Sequence, residues 1–119
     1  MENQLVMYFV INDDLKMGKG KIASQVAHAC QACVEALIRE AYEARKPKDR
    51  YLTYMKWKKN CTKIVLRGTE LQMRELMKRD ECFAIIDSGQ TQIPENSLTC
   101  ICFPPSAELG ELFKDYKLL

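Results

Sequence analysis

Apolar residues fill most positions from Leu5 to Ile11, and then recur every three to four residues through Ile22, Val26, Ala29, Cys33 and Leu37. A short unbroken apolar run is the pattern of a buried strand, whereas the second spacing is one face of a helix. A strand is therefore expected over residues 5–12 and a long helix from residue 20 to about residue 44. Arg45-Lys46-Pro47-Lys48-Asp49 ends that helix, because the residue before a proline is pushed away from helical geometry. Pro47 opens a second helix with Tyr51, Leu52, Tyr54, Met55 and Trp57 as its apolar bulk. Residues 62–67 read as a strand, and Thr69-Glu70-Leu71-Gln72 as a threonine-capped helix start that buries Met73, Leu76 and Met77. Residues 82–86 and 99–103 read as two more strands around a polar loop. Pro104-Pro105 stops the last strand, and residues 106–114 are expected to form a final short helix.

Strands separated by helices predict an α/β layer architecture. The strands on either side of residues 87–98 are joined without a helix, so one pair should be antiparallel in a mixed four-stranded sheet. Ligands of such sheets gather beyond the carboxyl ends of strands. Lys21 follows the first strand and Asp87 the third, so both reach one edge if those strands are parallel.

Composition narrows the picture only modestly. The 119 residues, 47% hydrophobic and 29% charged, fit one compact domain over 1–119. A net charge of +2 gives no global field for nucleic acid, so any such contact depends on local clustering. Neither a membrane span nor a basic signal-peptide region is evident, and a cytoplasmic location is expected. The six cysteines are then expected to be reduced thiols. Cys30 and Cys33 form a C-x-x-C, but it lies inside a helix with no second pair to complete a zinc site, so a structural role is expected and no metal.

The densest chemistry lies in Lys16-Met17-Gly18-Lys19-Gly20-Lys21 and the helix after it. A strand, a basic glycine loop and a helix start together make an anion site, since the first helical N–H groups lack internal partners. Lys21, Gln25 and His28 share one stripe at i, i+4 and i+7. Two readings fit: a site for phosphate, or a solvated basic loop with Gln25 and His28 bonded to neighbouring backbone. A second cluster, Asp87-Ser88-Gly89-Gln90-Thr91-Gln92 followed by Thr99, puts a carboxylate and two hydroxyls around a glycine turn. A carboxylate can take a proton from water or a hydroxyl while a lysine stabilises a developing oxyanion, which suits ester hydrolysis. An Asx-type turn accounts for the same residues without chemistry.

Taken together, Asp14 to Ala23, Gln25, Ala27-His28-Ala29, Lys63-Ile64-Val65-Leu66, Asp87, Gly89, Thr91-Gln92-Ile93, Thr99 and the closing Lys117-Leu118-Leu119 resemble the type II peptidyl-tRNA hydrolase family. The resemblance implies cleavage of the ester between a peptide and tRNA, without metal or organic cofactor, on a four-stranded mixed sheet flanked by helices on both faces, a three-layer sandwich. It carries catalytic roles to Lys21, Asp87, Thr91 and Thr99, with Gln25, His28 and Gln92 lining the substrate site. Thr91 is left open as nucleophile or positioner, and His28 as base or packing residue. Lys16 and Lys19 would meet the acceptor end of tRNA. Arg45, Lys46, Lys48, Arg50, Lys56, Lys58, Lys59 and Lys63 offer a second basic stretch, with Tyr51, Tyr54 and Trp57 interleaved. Trp57 is expected to be buried. A homodimer through apolar surface fits but is not located by the sequence. Asn12 stands where the family has arginine, and Cys102-Phe103-Pro104 replaces its usual glycines. The competing expectation is a non-catalytic binding domain that kept the fold.

Overall fold

The computed structural model describes residues 4–88 and 93–119. Its elements run β1 (Met7–Asn12), α1 (Lys19–Ala44), α2 (Asp49–Trp57), β2 (Lys63–Gly68), α3 (Glu70–Leu76), β3 (Phe83–Asp87), β4 (Ser97–Cys102) and β5 (Lys117–Leu118). The sheet order is β3-β4-β1-β2-β5. β1 and β2 are parallel, and β4 runs antiparallel to both β1 and β3. β1, β2 and β3 therefore point the same way, as the placement of Lys21 and Asp87 required.

The class is α/β with a mixed sheet, but the sheet has five strands where four were expected. The fifth is two residues at the edge, antiparallel to β2, with Leu118 opposite Leu66 and Lys117 opposite Arg67. Arg67 Nε also donates to Leu118 O at 3.1 Å. Two residues are too few to carry a period, so only the pairing reveals the strand.

Side-chain alternation divides the core. Met7, Phe9 and Ile11 of β1 pack with Ala29, Cys33 and Leu37 of α1 and with Trp57 of α2. Val10 packs on the other side with Leu66, Met73, Leu76, Phe103, Leu109 and Phe113. The expected three-layer sandwich is not fully met: among the described residues α3 is the only helix on the second face, and turns cover the rest. The final helix over 106–114 does not form. Gly110 sits mid-segment, and the backbone bonds there are mixed: Phe113 N to Leu109 O at 3.2 Å, but Tyr116 N to Phe113 O at 3.0 Å. Leu109 and Phe113 are buried as an i, i+4 pair should be, on a backbone of turns.

Two local devices set the top of the sheet. Thr69 and Gln72 form a reciprocal capping box at the start of α3. Immediately before it, a Cβ on Gly68 would lie 2.6 Å from Val10 Cγ1, so the residue there must be small. α1, with 26 residues, is about 39 Å long at ~1.5 Å per residue. Strands of six residues span only about 20 Å. The last turns of α1 therefore run past the sheet, where Ile38 and Tyr42 are exposed and α2 packs alongside.

Candidate active site

β3 carries Asp87 by simple alternation. Phe83 and Ile85 face the α1 side of the core, so Asp87, two residues on, leaves the strand on that face just where α1 begins. Lys21, in the first turn of α1, meets it: Nζ lies 3.1 Å from Asp87 Oδ1. The two side chains are only 10% and 15% exposed, so the pair is far better shielded than a surface bridge. Basic residues at a helix start oppose the helix dipole. Lys19 and Lys21 both break that local rule, which is the mark of a site.

A β-bulge supplies the next layer. Ile85 pairs with Cys100 and Ile86 with Leu98, leaving Thr99 as the extra residue on β4. Leu98 faces the α3 side and Cys100 the α1 side. The bulge turns Thr99 toward α1 as well, where its hydroxyl donates to Gln25 Oε1 at 2.6 Å and lies 3.3 Å from Ile85 O. Thr99 is fully buried and Gln25 nearly so. Thr99 thus orients Gln25, one helical turn from Lys21.

Asn12 completes the frame, in a role that its sequence position alone did not disclose. It is fully buried at the end of β1. Its Nδ2 donates to Leu98 O at 2.8 Å and Glu70 Oε1 at 2.7 Å, while Oδ1 accepts from Asp14 N at 3.0 Å. Asp14 Oδ2 in turn accepts from Glu70 N at 2.8 Å. One amide ties β1, the bulged start of β4, the following turn and α3 together. The available signal was an asparagine ending an apolar run two residues before an aspartate, an Asx-turn pattern.

The other expected residues fall differently. Lys16 and Lys19 are exposed, and Lys16 pairs with Asp13 at 3.5 Å. Lys19 lines an apolar groove of about 990 Å3 with Ile22, Val26, Cys30, Val65 and Leu119, on the flank of α1 away from Asp87. Ile22 and Val26, on the apolar stripe of α1, are half-buried along this groove. His28 is exposed, below Lys21 on the outer side of α1. Thr91 and Gln92 lie outside the described residues. In the second basic stretch Trp57 is buried, its Nε1 donating to Thr62 O at 2.7 Å with Lys63 Nζ 5.2 Å from its ring centre.

The buried thiols Cys33, Cys100 and Cys102 are packing groups. Cys33 and Cys102 meet between α1 and β4, and Cys102 Sγ lies 3.4 Å from Ala29 O. The hydrogen bond with Cys33, followed by burial, pushes the Cys102 thiol far up, and burial pushes Cys100 up to about 12. Such thiols stay protonated and unreactive.

A shielded ammonium beside a carboxylate, at the carboxyl ends of parallel strands, can bind an anionic group or an oxyanion and accept a proton from a neighbouring oxygen acid. Fold and site together define a small α/β protein of mixed sheet with its charged pair between the first helix and the third strand. The profile of the peptidyl-tRNA hydrolase PTH2 family matches residues 5–119, and the chain belongs to that family. A peptidyl-tRNA hydrolase of Staphylothermus marinus is 36% identical over 118 residues, covering 92% of this chain and 91% of its own. Those of Methanococcus maripaludis and Thermoplasma acidophilum are each 32% identical, covering 92% and 95% of this chain and 95% and 97% of their own.

Proposed function

We propose that the chain, acting as a single domain, hydrolyses the ester linking a peptide to the terminal ribose of tRNA, releasing peptide and free tRNA. The observation that carries this reading is the shielded pair of Lys21 and Asp87, 3.1 Å apart, in a chain of the PTH2 family. In the proposed reaction Asp87 takes a proton from a water or from Thr91 as the ester carbonyl is attacked. Lys21 stabilises the oxyanion or the 3′-terminal phosphate. Thr99 acts through Gln25, whose Nε2 is left to donate to substrate once Oε1 is occupied by the threonine hydroxyl. Gln92 and His28 are assigned to substrate contact, and exposure of His28 supports a contact role over that of a shielded base. Lys16 and Lys19 are proposed to meet the acceptor end.

The reaction needs no cofactor in this scheme. Among the described residues no helix is long and apolar enough to cross a membrane. The proposed compartment is the cytoplasm, where translation generates the substrate. A homodimer is the proposed assembly, supported by the apolar groove beside α1 and checked by sedimentation of the purified chain. The deciding assay is release of an N-blocked amino acid from charged tRNA by the purified chain and by its Asp87→Asn form. Turnover that collapses in the variant supports the hydrolase, and equal rates overturn it.

A further inference from the structure

The polar face of α1 continues well beyond the site. At about 100° per residue, Lys21, His28, Arg39 and Tyr42 fall within about 60° of one another. His28, Arg39 and Tyr42 are exposed, and Tyr42 keeps 83% of its surface open. The acid on this face, Glu35, accepts a hydrogen bond from Gln31 Nε2 at 2.9 Å. Tyr42 stands 21 residues from Lys21 along one unbroken helix, about 31 Å at ~1.5 Å per residue. There the chain turns. Arg45 takes a left-handed φ of 55°, with its N–H bonded to Ala41 O and Tyr42 O. That turn folds Arg45 and Lys46 around an open hollow of about 780 Å3, between Tyr42, Tyr51 and Ile38. Two tyrosines offer ring faces to an unpaired base, and two cations against the single carboxylate of Glu43 offer charge to its phosphates.

We propose that α1 is the ruler of the RNA interface: its outer face carries the acceptor arm, and the hollow at its far end takes an unpaired base and adjoining phosphates of the same tRNA. The spacing corresponds to roughly ten base pairs of duplex. This inference rests on the tRNA reading above and adds a contact distant from the ester. It differs from a general basic patch in needing Tyr42, and in being unreachable by a short RNA held at Lys21.

The test is the affinity of deacylated full-length tRNA, and of a hairpin carrying only a short acceptor stem and 3′ end, followed by fluorescence anisotropy over a salt series. Tyr42→Ala should weaken full-length tRNA about fivefold or more. Arg45→Glu combined with Lys46→Glu should weaken it about tenfold or more and flatten the logarithmic salt slope by about one to two. Hairpin affinity should stay within about twofold, and an unchanged thermal midpoint would confirm that each variant is folded. Equal loss on both RNAs, or loss on neither, overturns the proposal. Turnover of charged tRNA is measured alongside, well below saturation: selective tRNA binding without hydrolysis sinks the enzyme reading alone, and a kcat/KM indifferent to these variants sinks this inference alone.

Discussion

Lys21 Nζ and Asp87 Oδ1 lie 3.1 Å apart, although 66 positions separate the two residues, because β1 and β3, pointing the same way on either side of β4, both end beside the first turn of α1. If Asp87 handles the proton, Asp87→Asn should lower kcat about 100-fold or more with little change in KM. Lys21→Ala should fall by a similar factor. The double variant should be scarcely worse than either alone, since groups acting as a unit are not additive. Steady-state kinetics on one charged tRNA would measure all three.

The contact between Thr99 and Gln25 calls for a different signature. Thr99→Val keeps shape and removes the hydroxyl that donates to Gln25 Oε1. A buried amide oxygen left unpaired costs about 1–3 kcal/mol, so the denaturant midpoint should drop. Activity should fall as well, and Thr99→Ser should restore most of both. If Thr99→Val is as unstable as expected but turns over at the normal rate, Gln25 has no part in catalysis.

Asn12 should be a stability residue first. Asn12→Ala strips Leu98 O of an amide donor and Asp14 N of its acceptor in a fully buried position. The expected loss is about 2–4 kcal/mol by chemical denaturation. Asn12→Asp should be no milder, because it removes the donor and brings a second carboxylate against Glu70.

The buried thiols predict an alkaline weakness. Burial holds Cys100 at about 12 against an ordinary thiol value of 9.0, and burial with the neighbouring Glu81 holds Cys82 at about 11. The unfolded chain therefore releases these protons first as pH rises. Their contribution is fully present below about pH 9 and is lost between there and about pH 11 to 12, near 1.4 kcal/mol per unit for buried Cys100 while it lasts and less for half-buried Cys82, which solvent screens. Urea unfolding at pH 8 and pH 10.5 should show the decline, and Cys100→Ala should make it shallower. Alkylation of the native protein at pH 8 should modify exposed Cys61 well before Cys33, Cys100 or Cys102.

Much of this protein was written locally. The apolar period of α1, the threonine cap of α3 and the alternation of β3 set their elements within a residue or two, because helix spacing, capping and strand pleat depend on neighbours in the chain. The same alternation already aimed Asp87 at the helix that carries Lys21. What tertiary structure decided was register and coverage. The bulge that turns Thr99 toward Gln25 arises from how β4 pairs with β3, and no periodicity within residues 97–102 could announce it. β5 exists only because Leu66 and Arg67 offer it an edge, and the apolar residues of 106–114 found the core without becoming a helix. Asn12 acquired its two distant partners, Glu70 and Leu98, in the same way. Local hydrogen-bond geometry is encoded by adjacent residues, whereas pairing between distant segments is settled only when the whole chain competes for the same partners.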